Sequence, residues 1–516
     1  MIGVDIGTTS TKAVLFDRDG TVISKHNAGY PLYTNTPGEA EQDPEEIFTA
    51  VKNAISEAIK EAGAQPEEVS FLSFSSAMHS LIAMDKNGKA LTRSITWADQ
   101  RSEAWTKKLK NDWRGHEIYL RTGTPIHPMS PLSKIIWLRE EYSEIFSRTD
   151  KFISIKEYVF YRFFGEYIID HSIASATGLF NLTTLDWDAE ALEIAGINAD
   201  QLSKIVSTTY TLKGIKHEFA SELGIQETVP FIAGASDGVL SNLGVNAIDK
   251  GVAALTIGTS GAIRAVTDRP VTDPKGRIFC YALTEDHWVI GGPVNNGGMI
   301  FQWLKDEICQ SEVKAAEESG QDPFTYLTSI AADIRPGSEG LIFHPYLAGE
   351  RAPIWNAHAR GAFFGLGLHH KKDHMIRAVL EGINYNLYTV LLALKELIGI
   401  PEKIHATGGF AQSEFWRQML ADVLDQEILI PESYESSCLG AAILGMFALG
   451  EIDSLTEAKR FVSSNLKLTP DEEASAIYQE IIPIYIRLAR MYETEFEEIA
   501  AFQTKYGKKE LPESVN

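Results

Sequence analysis

The sequence predicts an α/β protein built from two large domains, and three observations support that prediction. The chain has 516 residues, more than a single hydrophobic core usually organises. Strand-like and helix-like segments alternate along it, as in α/β folds. A short motif around Gly7 recurs around Gly258, about half a chain length later. We therefore expect one domain over residues 1–245 and a second over residues 246–516.

The first copy of the motif runs from Asp5 to Lys12 and predicts a turn between two strands, because short apolar runs flank it. A glycine lets backbone N–H groups approach an anion, and the hydroxyls of Thr8 and Thr9 can donate further hydrogen bonds. Lys12 adds positive charge, and a carboxylate such as Asp5 is a ligand that Mg²⁺ prefers. The segment indicates a phosphate and magnesium loop, but alone it fits equally well a Ser/Thr-rich β-turn that binds nothing.

The second copy, residues 255–264, repeats the order of the first: a β-run, Ile-Gly-Thr, a further hydroxyl and β-residues again. Gly258 and Thr259 take the places of Gly7 and Thr8. Two related domains that each present a hairpin loop to one nucleotide are the arrangement of actin-like ATPases and sugar kinases. The repeat therefore favours the phosphate-binding interpretation of both loops.

Composition restricts the partners. With 47 basic and 70 acidic residues the formal charge is −23, which argues against nucleic acid or an anionic membrane as the main partner. Cys280, Cys309 and Cys438 lack metal-type spacing and fit free thiols in a reducing compartment. The first predicted strand begins at residue 2 and no apolar run reaches membrane-spanning length, so we expect a cytoplasmic protein without a signal peptide.

In the first domain, Asp43 and Pro44 predict the start of a helix that ends at Gly63. Residues 102–230 look more helical and read as an insertion, and residues 231–238 read as a strand that feeds a loop and a helix. The second domain is predicted to contain helices over 299–308, 373–398 and 414–424, a strand over 403–406 and a loop over 407–413.

Several catalytic motifs are absent from the sequence. It contains no Gly-x-x-x-x-Gly-Lys-Ser/Thr run and no dinucleotide fingerprint after a predicted strand. It also contains no His-Glu-x-x-His motif. Phosphate handling by the paired hairpin loops remains the best interpretation.

Two long segments carry a resemblance to a known family. Residues 129–141 resemble the first signature of the FGGY carbohydrate kinases, and residues 361–366 with 374–381 resemble the second. The resemblance extends over essentially the whole chain. It implies two actin-like (ribonuclease H-like) ATPase domains with a central cleft, where ATP and Mg²⁺ bind.

The resemblance also implies roles for individual residues. Asp237 aligns with the family's catalytic base, which accepts the proton of a sugar hydroxyl as that oxygen attacks the γ-phosphorus of ATP; without the resemblance it would read as a helix cap. Asp5 and Asp237 are the implied Mg²⁺ residues. A third group is implied to bind the nucleotide: Thr8, Thr9, Lys12, Gly258, Thr259, Gly298, Gln302, Gly408, Gly409 and Ser413.

The substrate residues implied by the resemblance are Met78, His79, Trp97, Asp99, Arg101 and Met129. A sugar acid needs a cationic or donor-rich partner for its carboxylate. Arg101, His79 and His127 are candidates, and the sequence does not choose among them. His127, between Ile126 and Pro128, is more typical of a packed core histidine.

Within the family, residues 75–80, 96–101 and 122–129 are most similar to the members that act on gluconate. Members that act on xylulose usually carry Gln-Met-His-Gly where this chain has residues 77–80, Ala-Met-His-Ser. The implied activity is ATP-dependent phosphorylation of D-gluconate at O6, and the family's frequent dimers imply a homodimer. Two alternatives stay open: another sugar or polyol kinase, such as one acting on xylulose, and a nucleotide-gated sugar-binding protein that has lost phosphoryl transfer.

Overall fold

A computed structural model describes residues 1–431 and 435–506 of the chain. Its strands are β1 Ile2–Ile6, β2 Ser10–Phe16, β3 Val22–Gly29, β4 Glu41–Gln42, β5 Leu72–Ser76, β6 Ile82–Met84, β7 Ser94–Ile95, β8 Lys151–Ile153, β9 Ile168–Asp170, β10 Phe180–Asn181, β11 Asp186–Trp187, β12 Lys204–Val206, β13 Thr211–Leu212, β14 Phe231–Ser236, β15 Val252–Ile257, β16 Gly261–Thr267, β17 Phe279–Ala282, β18 Trp288–Val294, β19 Ile342–His344, β20 Ala362–Phe364, β21 Lys403–Thr407, β22 Ile428–Pro431 and β23 Ser464–Leu468.

The α-helices alternate with these strands. They are α1 Pro44–Ala62, α2 Glu103–Asn111, α3 Gly115–Thr122, α4 Pro131–Glu141, α5 Ser143–Arg148, α6 Ile155–Phe164, α7 His171–Ser175, α8 Ala189–Ala195, α9 His217–Leu223, α10 Asp237–Gly244, α11 Gly298–Trp303, α12 Gln310–Glu318, α13 Pro323–Ala332, α14 Lys372–Ile398, α15 Glu414–Leu424, α16 Ser436–Ala448 and α17 Glu472–Tyr506.

The first sheet has the strand order β13-β14-β5-β1-β2-β3. Strands β1 and β2 form an antiparallel hairpin, while β1, β5 and β14 run parallel. Ile2, Val4 and Ile6 of β1 are fully buried, because helices cover the sheet. The parallel strands end side by side, so the residues that follow them come together at one edge of the sheet.

Two features of the helices around the first sheet are the capped ends of α1 and the packing of α10 against α16. Helix α1 begins after Asp43, whose side chain accepts from the Glu45 amide, and ends at Gly63 with φ +65°, so both predicted boundaries are confirmed. Helices α10 and α16 pack very closely, since a Cβ on Gly440 would lie 2.0 Å from the carbonyl oxygen of Leu240. This close approach holds the start of α10 against a rigid neighbour.

A second, seven-stranded sheet has the order β17-β18-β16-β15-β21-β22-β23. Helix α14, predicted over residues 373–398, packs against β19, α13 and α15 and buries Ile376, Leu380, Ile383, Leu387, Leu391 and Leu394. The helix predicted over residues 299–308 is different in detail. It begins as α11 at Gly298 and continues from Leu304 to Ile308 as a π-helical turn.

The chain divides into two compact units. Among the described residues, the first contains 1–254, 264–291, 431 and 435–465, and the second contains 255–263, 292–430 and 466–506. The predicted α/β class, with two sheet-bearing domains, is confirmed. Among the helices that the structure describes, none has the length and apolar character that a membrane crossing needs. Cys280, Cys309 and Cys438 are all free and buried.

Candidate active site

The first hairpin loop is shorter than the sequence motif. Residues 7–9 alone connect β1 to β2, whereas Asp5 and Lys12 lie opposite each other within the strands. The interpretation of the whole motif as one loop was therefore wrong, because the pairing of β1 with β2 continues to Ile6 and Thr11. The Gly7 amide donates to the Ser10 carbonyl at 3.0 Å, which closes the turn.

Side chains from neighbouring segments hold this loop. The Tyr30 hydroxyl donates to the Gly7 carbonyl at 2.6 Å, and the Gln42 side chain donates to the Thr8 carbonyl. The Trp97 indole donates to the Thr8 hydroxyl at 2.9 Å. Trp97, which is predicted to bind the sugar, is thus hydrogen-bonded directly to Thr8, which is predicted to bind phosphate. The neighbouring Thr9 is exposed.

Asp5 is placed by two hydroxyl donors. Its Oδ1 accepts from Ser75 Oγ of β5 at 2.7 Å, and its Oδ2 accepts from Ser437 Oγ in the first turn of α16 at 2.8 Å. Donors on both oxygens hold the carboxylate in one orientation. The sequence offers no local signal for these donors, since Ser437 is more than 400 positions away.

Lys12 forms an ion pair within the first unit. Its Nζ lies 2.8 Å from Glu435 Oε2, and Glu435 also pairs with Lys25 at 3.1 Å. Burial alone would lower the pKa of Lys12, but its bond to Glu435 leaves that pKa raised. Lys12 is therefore a permanent cation beside Asp5, with about a third of its side chain (38%) exposed.

His79 is fixed by its ring and by its backbone. It is 7% exposed and adopts φ +67°, a conformation uncommon for residues other than glycine. Its Nδ1 lies 2.7 Å from the Ala176 carbonyl oxygen, so Nδ1 carries the proton and donates it. The predicted substrate loop is therefore held in a strained but defined conformation.

Lys134 connects the segments that carry the predicted substrate residues. Its fully buried ammonium lies 2.6 Å from the carbonyl of His79, 2.7 Å from that of Thr96 and 2.9 Å from that of Met129. Burial lowers the pKa of Lys134 to about 7, against the opposing effect of Asp99. The carbonyl oxygens favour the charged form, because only an ammonium group donates three hydrogen bonds.

Asp99 and Arg101 are engaged with each other. Arg101 Nε donates to Asp99 Oδ2 at 2.9 Å, and its Nη2 donates to Glu41. Asp99 also accepts from the Ala40 amide at 3.0 Å and is fully buried. Burial alone would lower the pKa of Arg101, but the two carboxylates leave it raised. In this arrangement Asp99 orders the loop, and both charges are balanced within the first unit.

The remaining predicted substrate residues lie close by. Met129 is buried, and its amide donates to Nδ1 of His127 at 3.2 Å. His127 is 5% exposed, as expected of a packed histidine. Met78 is partly buried against the cluster of apolar residues that contains Val239.

Asp237 is the first residue of α10 and directly follows β14. Its Oδ1 accepts from the Gly238 amide at 2.6 Å, and its carbonyl accepts from Ser241 Oγ at 2.8 Å. The residue before it, Ser236, exchanges hydrogen bonds with Ser172 through its amide and its hydroxyl, both at 3.1 Å. These contacts fix the turn that presents Asp237 at the end of a buried strand.

A buried ion pair lies next to this turn. Lys156 Nζ is 2.6 Å from Asp170 Oδ2, and each side chain is 2% exposed. Lys156 also donates to the Ala235 carbonyl at 3.2 Å, two residues before Asp237. Burial lowers the pKa of Lys156, while Asp170 and more distantly Asp237 raise it in part. The ammonium group of Lys156 therefore lies beside the end of β14, which leads directly into Asp237.

The second hairpin loop, residues 258–260, has the same length as the first. The Gly258 amide donates to the Ser260 carbonyl at 2.9 Å. The Gly258 carbonyl then accepts from the Gly298 amide at 2.7 Å, and the Thr259 carbonyl accepts from the Met299 amide at 3.1 Å. The loop is thus bonded to the start of α11, which brings two predicted nucleotide segments together.

A cavity of about 480 Å³ opens beside this loop, a size typical of small-molecule sites. Six of the predicted nucleotide residues line it: Gly258, Thr259, Gly298, Gln302, Gly409 and Ser413. Phe301, Phe324 and Trp416 also line it, and the Phe301 ring centroid lies 5.4 Å from that of each of the other two. No sequence motif singled out these aromatic residues, because they come from three separate helices.

Gly408 has a structural reason for being glycine. Its φ is +116°, and a Cβ there would lie 2.1 Å from the carbonyl oxygen of Ile257. Ile257 lines the cavity, whereas Gly408 is not among the residues that line it. Only a residue without a side chain lets the end of β21 approach β15 this closely.

The side chains of the site can be compared with the ligands that Mg²⁺ requires. Within residues 1–431 and 435–506, no cluster of three or more His, Cys, Asp or Glu side chains is arranged to hold a metal. Mg²⁺ does not need such a cage, because it usually keeps several waters and binds one or two carboxylates together with substrate phosphates. The oriented carboxylates of Asp5 and Asp237 fit that requirement.

Comparison with known proteins identifies the class to which these features belong. A family model for the N-terminal domain of the FGGY family of carbohydrate kinases matches residues 1–244, and the corresponding C-terminal domain model matches residues 253–449. The chain belongs to the FGGY family of carbohydrate kinases.

Individual relatives are similar over almost their full length. The chain is 58% identical to a gluconokinase from Bacillus subtilis (strain 168), over 98% of each chain. The crystal structure of gluconate kinase from Lactobacillus acidophilus aligns with a TM-score of 0.92 and 40% identity, covering 96% of this chain and 99% of that one. A ligand-bound xylulose kinase structure from the same organism aligns with the same TM-score, identity and coverage.

Proposed function

We propose that this chain transfers the γ-phosphoryl group of ATP to the O6 hydroxyl of D-gluconate, giving 6-phosphogluconate and ADP. The observation that carries this proposal is the 58% identity to a gluconokinase over 98% of both chains. Family membership over both domains supports the kinase class, and the placement of the acidic residues supports the chemistry.

Asp237 is the proposed general base. Asp237 lies in the first turn of α10, and a carboxylate in that position can accept a proton. The proton leaves the C6 hydroxyl as its oxygen attacks the γ-phosphorus. Phosphoryl transfer depends mainly on positioning and charge neutralisation, so Asp237 acts within a site that others organise.

The cavity in the second unit is the proposed binding site for adenosine. Phe301, Phe324 and Trp416 supply apolar ring surfaces, and Gly258 and Gly409 add no side chain to the cavity wall. The loop over residues 258–260 and the loop over residues 7–9, with Thr8, Thr9 and Lys12, are the proposed phosphate contacts. Mg²⁺, held by Asp5 and Asp237 through water, would neutralise phosphate charge when bound.

On the sugar side, Lys134 is a positioning residue. It holds the carbonyls of His79, Thr96 and Met129 in one place, and the segments that carry the proposed sugar contacts therefore stay together. Trp97 offers an apolar ring for the carbon chain and connects the sugar segment to Thr8.

Xylulose is a second candidate substrate, because a xylulose kinase structure aligns as well as a gluconate kinase structure does. Steady-state ADP release with a panel of sugars, polyols and sugar acids separates the two. We expect turnover with gluconate and little with xylulose. Strong turnover on xylulose without gluconate would contradict the proposed substrate, and absence of any sugar-dependent turnover would contradict kinase activity itself.

Replacing Asp237 with Asn tests the base. We expect kcat to fall by about 10²–10⁴-fold, the usual contribution of a general base, while ATP binding persists. The exposed Asp268→Asn is the matched control and should leave kcat unchanged. Near wild-type phosphorylation by the Asp237→Asn enzyme would show that another group takes the proton.

A further inference from the structure

A site that binds gluconate must supply positive charge for the substrate's carboxylate. This carboxylate needs a cationic partner when it leaves water. Arg101 is already balanced by Asp99 and Glu41. The Nδ1 atoms of His79 and His127 are engaged with the backbone, one as donor and one as acceptor. None of the three candidates from the sequence therefore brings an uncommitted positive charge.

Arg264 in β16 does have buried donors that the protein does not use. Its Nε and Nη1 are buried and have no hydrogen-bond partner in the part of the chain that the structure describes. Burial lowers the pKa of Arg264, and the Asp237 carboxylate opposes that effect. A guanidinium nonetheless keeps its charge in proteins. Buried and unsatisfied charged donors are unfavourable, so they indicate a missing anionic partner.

The position of the guanidinium places it next to the proposed base. An ideal Cβ on Gly238 would lie 3.2 Å from Arg264 Nε and 3.4 Å from Nη2. The same Cβ would lie 3.1 Å from Cε of Met78, which directly precedes His79. Arg264 therefore meets the segment with the proposed sugar contacts at the first turn of α10, where Asp237 begins the helix.

The internal repeat shows that the hairpin itself does not need this arginine. Arg264 stands six positions after Gly258, and the residue six positions after Gly7 is Ala13. Ala13 is fully buried in the first sheet. The corresponding place thus accepts a small apolar side chain, and the fold gives no reason for a buried cation there.

We propose that Arg264 binds the carboxylate of gluconate and selects a sugar acid over an uncharged sugar or polyol. The planar guanidinium can donate two parallel hydrogen bonds to a carboxylate. A six-carbon acid carries this anion at one end and the reacting hydroxyl at the other, which suits a cation and a base that flank the same helix turn. The inference rests on the proposed function and identifies the residue that sets its specificity.

The test compares Arg264→Met with the wild-type enzyme in the full chain. For gluconate we expect KM to rise about 100-fold, since hydrogen bonds to charged groups are strong. The KM for ATP should stay the same. With glucitol, which replaces the carboxylate by a hydroxymethyl group, the variant and the wild-type enzyme should have equal kcat/KM. Arg264→Lys keeps the charge without the planar fork and should restore part of the gluconate KM.

Two controls keep the outcome interpretable. Arg269→Met removes an exposed arginine just after the same strand and should change the gluconate KM by less than about twofold. ATP binding and the thermal unfolding midpoint show whether each variant is folded. If Arg264→Met does not fold, Arg264→Lys and Arg264→Gln provide the same comparison.

The contradicting results are distinct. An unchanged gluconate KM in Arg264→Met would overturn the inference while leaving the proposed function intact. If Arg264→Met loses kcat equally with gluconate and with glucitol and also has a raised KM for ATP, then Arg264 contacts the transferred phosphoryl group. That result would overturn the inference as well. A wild-type enzyme that phosphorylates xylulose and not gluconate would overturn the proposed function and the inference with it.

Discussion

Replacing Lys134 with Met tests whether one buried ammonium organises the substrate segments. Lys134 is fully buried and donates to the carbonyls of His79, Thr96 and Met129, which come from three different segments. Methionine retains most of the apolar volume of the side chain but donates no hydrogen bond. The carbonyls would then be buried without their donor.

The expected magnitude follows from these contacts. Leaving a buried acceptor unsatisfied costs about 1–3 kcal/mol. Three bonds of 2.6 to 2.9 Å are lost, and removal of a buried charge offsets part of that loss. We therefore expect the first unit to be destabilised by about 3–5 kcal/mol. The released segments should also raise the KM for gluconate at least tenfold, about 1.4 kcal/mol.

The assay combines urea unfolding with kinetics. Far-UV circular dichroism gives the unfolding midpoint, and nucleotide binding to the second unit shows whether that unit remains native. Lys110→Met, an exposed lysine in α2, is the matched control and should shift neither the midpoint nor the KM. A Lys134→Met enzyme with a wild-type midpoint and a wild-type gluconate KM would refute the reasoning.

Two further predictions concern the second unit. Burial lowers the pKa of His344 to about 4, below its unfolded value, so stability is lost as the pH falls below about 6.5. His344→Phe keeps an aromatic ring against Tyr485 but cannot take up a proton. In this variant, the difference in unfolding free energy between pH 7.5 and pH 5 should be smaller than in the wild-type protein by about 2 kcal/mol, measured by urea unfolding. An unchanged difference would show that His344 is not the source of the pH dependence. Gly408→Ala should weaken ATP binding at least tenfold in calorimetry, because its Cβ would collide with the Ile257 carbonyl and the strain costs about 1–3 kcal/mol. Gly399→Ala has a similar positive φ but no atom within 4 Å, and equal losses in both variants would rule out the collision as the cause.

Local patterns were sufficient for much of the secondary structure. The helix between Asp43 and Gly63 could be predicted because its cap, its first-turn proline and its terminal glycine are encoded by neighbouring residues. Helix α15 has the predicted bounds for the same kind of reason, since Ser413 caps it. The hairpin at Gly7 was predicted too long, because the sequence does not show how far strand pairing extends into a Ser/Thr-rich segment.

Contacts between distant residues were beyond these patterns. The carboxylate of Asp5 is oriented by Ser437, and the ion pair of Lys156 with Asp170 lies beside Asp237. Arg264 was read from the sequence only as the end of a repeated hairpin motif, and nothing local indicated buried donors. Such features depend on which surfaces meet after folding, and a single sequence does not state that.

The sequence by itself determined the class of fold, the duplicated hairpin loops and the acid at the end of β14, since each is written in a short run of residues. The tertiary structure alone decided which charges are balanced within the protein. Arg101 is neutralised by two carboxylates that pack against it, whereas Arg264 has two buried donors, Nε and Nη1, that no described residue satisfies. Electrostatic balance depends on distance and burial, and both exist only once the chain has folded.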